Sequence, residues 1–263
     1  MSSILNARFV SKGIYKAMLA FNRKRALAKM KQHPFLWGEL EKYIEKSGST
    51  GCEFSDYWML YEYIRKNKPT KILECGTGVS TIAMACALIE NEKENGVAGK
   101  VISMESIPQW HQQAVSLLPS NLSPYVELVL SEKVEYCHSI FRGVGYKDIP
   151  DHDYEFVFID GPGTSAPSDN TRSFNFDFIN VVKKSNRPVY GVTDKRLGTT
   201  YVMQKIFGMD KVRYESKLGL GLIGPCTKED IRSEIKGSSF SHKINAFGKN
   251  ELNLRMLLSK TSA

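Results

Sequence analysis

The sequence predicts an α/β protein with a doubly wound, mainly parallel sheet of seven strands. The sheet closes on a C-terminal antiparallel hairpin and is preceded by N-terminal helices. Three observations carry this reading. From residue 71 onward, short apolar runs alternate with helix-length segments, the pattern of repeated βα units. The first run ends in Glu74-Cys75-Gly76-Thr77-Gly78 and passes straight into a helical segment. The last two runs are joined only by Lys217-Leu218-Gly219, too short for a crossover helix, so they must pair antiparallel.

Residues 4–31 read as one helix, with no proline and a single glycine. Val10, Ile14, Met18 and Phe21 form an apolar stripe, and Lys12, Lys16 and Arg23 fall on the opposite face. His33-Pro34 breaks this helix. A second helix is expected over residues 36–46, a flexible turn over 47–51 and a third helix over 55–66. Strands follow at 71–74, 101–105, 126–130, 156–159, 188–193, 212–216 and 220–223. Helices fall at 79–94, from Pro108 (a favourable first-turn residue), near 173–184 and near 199–207. A strand over 253–258 is one reading of the tail. The chain thus divides into a helical extension (1–50), a sheet domain (51–235) and a tail (236–263).

The 263 residues are 42% hydrophobic and 24% charged, an ordinary globular composition. No apolar run approaches the roughly 20 residues a membrane span needs, and the N-terminus lacks a signal-peptide pattern. Cys52, Cys75, Cys86, Cys137 and Cys226 are widely spaced and form no C-x-x-C pair, which argues against a zinc site or disulfide framework. A reducing, cytoplasmic setting is expected. The net charge of +8 is uneven: residues 1–38 hold 8 of the 36 basic residues and none of the 28 acidic ones. A basic helix over residues 8–31 can lie peripherally on an anionic membrane surface, hold a partner, touch nucleic acid, or simply pack its apolar stripe and solvate its charges.

The glycine turn after the first strand would let a ligand approach the backbone, at a helix N-terminus with unpaired N–H groups. Glu74 is unusual there, because a phosphate cradle would repel a carboxylate whereas a cationic ligand would welcome it. The run acid-x-Gly-x-Gly-x-Ser, Glu74 through Ser80, resembles the first motif of class I S-adenosylmethionine-dependent methyltransferases. The competing dinucleotide fingerprint needs a third glycine where this chain has Thr81. The closing hairpin also resembles the seven-stranded, Rossmann-like methyltransferase sheet.

Ligands of open α/β sheets bind at the carboxyl ends of strands. The resemblance implies that Glu74, Gly76, Thr77, Gly78 and Ser80 face the methionine part of S-adenosylmethionine, its ammonium included. Glu105, with Ser106, would accept the ribose hydroxyls. Ser131 and Glu132 would border the adenine, with Ile107 or Trp110 packed on its face. Asp160, opening the Asp-Gly-Pro turn, would lie near the reacting methyl as a general base, a metal ligand or an acceptor-orienting group, with Asp194 second. His138 and His152 read as surface or structural residues.

The Asp160 and Asp194 pair resembles the carboxylates of metal-dependent catechol-type O-methyltransferases, where a divalent ion, usually magnesium, lowers the pKa of the acceptor hydroxyl. That family has Asn after the second Asp, whereas this chain has Lys195 and Arg196. Two cations would weaken metal binding and suit an anionic acceptor, with Arg172 in the intervening loop as a further contact. The Asp-Gly-Pro turn also looks like that of sugar-modifying O-methyltransferases. The expectation is O-methylation of a small molecule or glycan, such as an acidic sugar, with little or no dependence on metal. RNA or protein methylation, NAD(P)-dependent oxidoreduction and a non-catalytic binding role are the alternatives. No Asn/Asp-Pro-Pro-Tyr/Phe run follows the fourth strand and Pro225-Cys226 lies after the last, so DNA is not an expected partner. The oligomeric state stays open.

Overall fold

The computed structural model describes residues 2–48 and 53–232. The predicted tail, with its strand at 253–258, lies outside the described residues, as do residues 49–52. Three helices, α1 (Ser2–Met30), α2 (Pro34–Ser47) and α3 (Phe54–Asn67), lead into β1 (Lys71–Cys75), α4 (Val79–Asn95), β2 (Lys100–Glu105), α5 (Pro108–Leu117) and β3 (Val126–Leu130). Then come β4 (Lys133–His138), β5 (Phe141–Tyr146), β6 (Phe156–Ile159), α6 (Asp177–Lys184), β7 (Val189–Asp194), α7 (Leu197–Phe207), β8 (Val212–Glu215) and β9 (Leu220–Cys226).

The seven predicted strands form one sheet in the order β3-β2-β1-β6-β7-β9-β8. The first five are parallel to their neighbours, and β9 runs antiparallel between β7 and β8. From β1 the chain steps outward to β2 and β3, then returns to β6 on the other side. The loops after β1 and β6 therefore flank a crevice at the carboxyl end of the sheet.

Strand alternation sorts the core into two layers. Ile72, Val101, Phe156 and Val192 pack with Leu40, Leu60, Ile64 and Ile82 of the helices α2 to α4. Leu73, Cys75, Ile102, Met104 and Ile159 face the other way, onto Phe141, Tyr146, Phe178 and Ile206. The same alternation turns Glu74 toward α4, opposite its register partner Ser103 on β2.

Three departures from the sequence reading matter for the site. The connection from β3 to β6 carries an antiparallel hairpin, β4–β5, that forms its own small sheet. Its turn contains no glycine, asparagine or proline, and Ser139 adopts φ 51, so the usual hairpin signal is missing. The helix expected near 173 begins at Asp177, because the incoming segment first exchanges two backbone bonds with Val144 of β5 (Val144 N–H to Phe174 O 2.8 Å; Phe176 N–H to Val144 O 2.7 Å). Helix α1 is real but turned: it buries Ala26 and Met30 and leaves Phe21 65% exposed. Asn22 of α1 donates to the Lys217 carbonyl at 2.7 Å. Arg23, Lys29 and Lys31 lie over the rings of Phe54, Trp58 and Trp37, so part of the basic segment is spent on packing.

Candidate active site

The β1–α4 turn is built by backbone pressed on backbone. Gly76 has φ 101, and a Cβ there would lie 3.1 Å from the Asp160 carbonyl carbon and the Gly161 nitrogen. Reciprocally, a Cβ on Gly161 would sit 2.8 Å from both the Gly76 Cα and the Tyr146 hydroxyl. The Gly76 N–H donates to the Met104 carbonyl at 2.9 Å, and the Asp160 N–H to the Cys75 carbonyl at 2.9 Å. Gly78 differs, for a Cβ there would meet nothing within 4 Å. Gly76 is thus needed for loop packing, and Gly78 borders open space.

Glu74 corrects its expected role. It is completely buried beneath the turn and accepts hydrogen bonds from Ser80 (2.5 Å), Thr81 (2.5 Å) and Ser103 (2.6 Å). Thr81 Oγ1 also accepts the Gly78 N–H at 3.1 Å. Neither Glu74 nor Ser80 reaches the open face, because the strand's alternation turns position 74 under α4. Their work is to hold the glycine turn. Burial pushes the Glu74 carboxyl up to about 7, opposed by the three hydroxyl bonds and reinforced by Asp160. Thr77 Oγ1 is buried with no partner among the described residues.

After β2, Glu105 Oε1 accepts the N–H groups of Ser106 (2.6 Å) and Ile107 (2.8 Å), and the Ser106 hydroxyl lies 3.5 Å from the same oxygen. Those bonds fix the carboxylate plane and leave Oε2 out of them. Ile107, Trp110 and Leu130 stand about half exposed around these strand ends. After β3, Ser131 is buried, with its N–H on the Glu105 carbonyl (2.9 Å) and its hydroxyl accepting the Asp148 N–H (3.0 Å). Glu132 points to solvent and pairs with Lys147 at 3.3 Å, so of the two adenine candidates it is the one turned away.

The ends of β6 and β7 bring carboxyl groups together. Asp160 and Asp194 are within mutual influence, and Asp56 from the first turn of α3 joins them. Burial, the facing Asp194 carboxyl and Glu53 push Asp56 up to about 8, against the pull of Lys195. Burial and Asp194 likewise push Asp160 up to about 7, against the pull of Arg196. Some 47% of the Asp160 side chain is open, so water screening tempers that rise. Lys195 takes φ 23 and its ammonium lies 2.6 Å from Glu53. Burial works against its charge, but Glu53, Asp56 and Asp194 leave its pKa raised. The Arg196 guanidinium donates to the Asp160 carbonyl and lies 3.4 Å from Asp160 Oδ1. Lys195 and Arg196, expected to meet an anionic acceptor, are thus each paired with a carboxylate of the chain itself.

Arg172 is exposed and bridges Ser165 through its backbone. Its loop is stapled to the β4–β5 hairpin: Arg142 reaches Glu135, Ser168 and Asp169, and Lys133 donates to the Ser165 carbonyl at 2.8 Å. His138 sits on the Arg232 carbonyl at 2.7 Å, and His152 meets Tyr154 edge-on.

Sequence reasoning missed Asp56, Tyr146 and Asn175. An acid in a first helical turn reads as a dipole partner, so Asp56 gave no separate signal. Tyr146 comes from the unrecognised hairpin and braces the loops from below, donating to the Met104 carbonyl at 3.1 Å. Asn175, fully buried, donates to the carbonyls of Gly161 (2.9 Å) and Pro162 (2.8 Å). Helix α1 also reaches this end: the Tyr15 and Tyr214 hydroxyls both lie near Gly219 and Lys195, and burial with the Tyr15 bond raises Tyr214.

No family model and no curated protein matches the chain. Among solved structures it is similar to an O-methyltransferase from Bacillus cereus in complex with S-adenosylhomocysteine (SAH), with 17% identity, 63% of this chain and 70% of that one covered, and a TM-score of 0.42. A putative caffeoyl-CoA O-methyltransferase from Staphylococcus aureus gives 17% identity, 66% and 73% coverage and a TM-score of 0.45. An SAH-bound methyltransferase from Podospora anserina gives 11%, 69% and 70%, and 0.42. At such values the likenesses carry no functional weight. Topology and side-chain geometry must supply the function.

Proposed function

We propose that this chain is an S-adenosylmethionine-dependent methyltransferase acting on a hydroxyl group of a small molecule or glycan. The observation that supports it most is a combination. A sheet ending in β9 inserted antiparallel between β7 and β8 carries, on adjacent strands, an open glycine turn at Gly78 and a preset carboxylate at Glu105. A dinucleotide site fits less well, because Thr81, at the third glycine position, is buried and tied to Glu74.

The residues present fit the cofactor. Thr77, with its unpartnered hydroxyl, and the Gly76–Gly78 backbone would hold the amino-acid part. Glu105 Oε2 would accept a ribose hydroxyl, with Ser106 beside it. Ile107, Trp110 and Leu130 offer apolar surface to a purine, and the buried Ser131 closes that side. S-adenosylmethionine, when bound, supplies a methyl group already activated on a sulfonium sulfur. The chain's own task is then positioning, which can contribute up to roughly 7–11 kcal/mol, and proton acceptance. Asp160 is the group best placed for that proton. It is half open to solvent, and its pKa is raised toward neutrality, where a general base works well. Asp194, more enclosed, stands behind it.

With Lys195 paired to Glu53 and Arg196 to Asp160, a neutral hydroxyl acceptor fits better than an acidic sugar. Calorimetry tests the cofactor assignment: SAH should bind and NAD should not. Glu105→Ala removes a hydrogen bond to a charged group, worth about 1.5–3 kcal/mol, so SAH affinity should fall about 10- to 100-fold. Unchanged affinity would remove Glu105 from the site. Binding of NAD instead of SAH would replace the methyltransferase reading by an oxidoreductase one.

A further inference from the structure

A divalent ion at the ends of β6 and β7, which the catechol-type resemblance implies, does not fit the residues present. Among the described residues no three His, Cys, Asp or Glu side chains are placed to hold a metal ion. The position after Asp194 presents an ammonium, held by Glu53 at 2.6 Å, where that resemblance expects a neutral amide oxygen. The next residue occupies the approach to Asp160 with a positive charge of its own.

We propose that Arg196 is the resident cation of this site: its guanidinium stands beside Asp160 in place of a divalent metal ion and orients Asp160 as the proton acceptor. This rests on the methyltransferase reading above. Arg196 is a positioning residue, because it acts through Asp160. The geometry is a built one. One guanidinium nitrogen, Nη2, serves the carbonyl and carboxylate oxygens of Asp160 together. The other, Nη1, donates to Asn175 Oδ1 (3.1 Å) and the Pro162 carbonyl (3.3 Å). The Asn175 amide is itself locked. Its Nδ2 is spent on the Gly161 and Pro162 carbonyls, and its Oδ1 also accepts the Thr199 hydroxyl at 3.2 Å.

Both terminal nitrogens of the fork are thus held, while Nε is buried with no partner among the described residues, and Asp160 is clamped by main chain and side chain at once. A planar guanidinium can do this and a point-charge ammonium cannot. A divalent ion entering beside Asp160 would meet the guanidinium and the Lys195 ammonium at close range, and like charges repel most strongly where water is partly excluded.

The test uses the full-length protein, SAH calorimetry and Mn²⁺ as probe, with free Mn²⁺ followed by electron paramagnetic resonance. Wild type should bind SAH and leave the Mn²⁺ signal unchanged, with or without SAH. Arg196→Asn, shown to be folded by retained SAH binding, should bind Mn²⁺ about tenfold or more tightly than wild type, since the repelling charge is gone. Adding Asp160→Asn should abolish that gain. The proposal is overturned if wild type itself binds Mn²⁺ at a site that Asp160→Asn removes, or if a folded Arg196→Asn gains no affinity. Should Arg196→Asn not fold, the wild-type measurement with and without Asp160→Asn still decides. Failure of SAH to bind would refute the methyltransferase reading separately, whatever Mn²⁺ does.

Discussion

Replacing Glu74 with glutamine should flatten the pH dependence of folding stability. In the native protein this carboxyl is fully buried and its pKa is raised from the usual 4.5 to about 7. The unfolded chain releases the proton near 4.5, so between these values the native state holds a proton that the unfolded state has lost. Stability must then fall as pH rises through this window: it is fully present below 4.5 and lost by the time pH passes 7. A gap of that size corresponds to about 3 kcal/mol, as one unit is about 1.4 kcal/mol. Urea unfolding at pH 5 and at pH 8 reads the effect directly. Wild type should be markedly less stable at the higher pH, with Asp177 (fully buried, raised by burial to about 7) adding to the same trend. Glu74→Gln cannot ionise, and should remove about 3 kcal/mol of the difference. A variant with the wild-type slope, or a wild type that gains stability toward pH 8, would show that the three hydroxyl bonds keep Glu74 ionised and that burial does not dominate.

The two loop glycines should separate in their effects. Gly161→Ala places a methyl 2.8 Å from the Gly76 Cα and should destabilise by about 1–3 kcal/mol in urea melts, whereas Gly78→Ala should leave stability nearly unchanged and weaken SAH binding. Arg142→Ala cuts three side-chain contacts and should raise hydrogen exchange across residues 164–172, with β1 and β2 amides unaffected. For α1, a membrane role rests on its exposed Lys16, Lys24 and Arg25 and on Phe21. Reversing those three charges should abolish sedimentation with anionic liposomes at low salt, and wild type that stays in the supernatant would end the idea. Deleting the helix would confuse the result, since Met30 belongs to the core.

Much of the fold was legible in the chain because its signals are local. Apolar runs of strand length, proline at helix starts and glycine at the first turn placed all seven strands of the main sheet, and the short link before β9 dictated its reversal. The β4–β5 hairpin escaped because its turn uses Ser139 in a left-handed conformation, stabilised by the pairing around it and not by its own preference. The tilt of α1 escaped for a similar reason. The stripe read from the sequence includes Phe21, whereas docking on α3 and the Lys217 carbonyl buries Ala26 and Met30.

By itself the sequence determined the alternation of strand and helix, the acid-glycine turn and the carboxylates at the strand ends, since these depend on residue type and spacing alone. Only the tertiary structure decided what each charged group is for. Glu74 began as the group to greet a cationic ligand and proved to be the buried brace of its turn. Lys195 and Arg196 read as receptors for an anion, and in the fold they stand paired with Glu53 and Asp160. Asp56 joined the site from a helix more than a hundred residues away in sequence from Asp160 and Asp194. The physical reason is common to all three cases: the meaning of a charge lies in its nearest opposite or like charge and in its access to water, and both are set by packing between segments far apart in the chain.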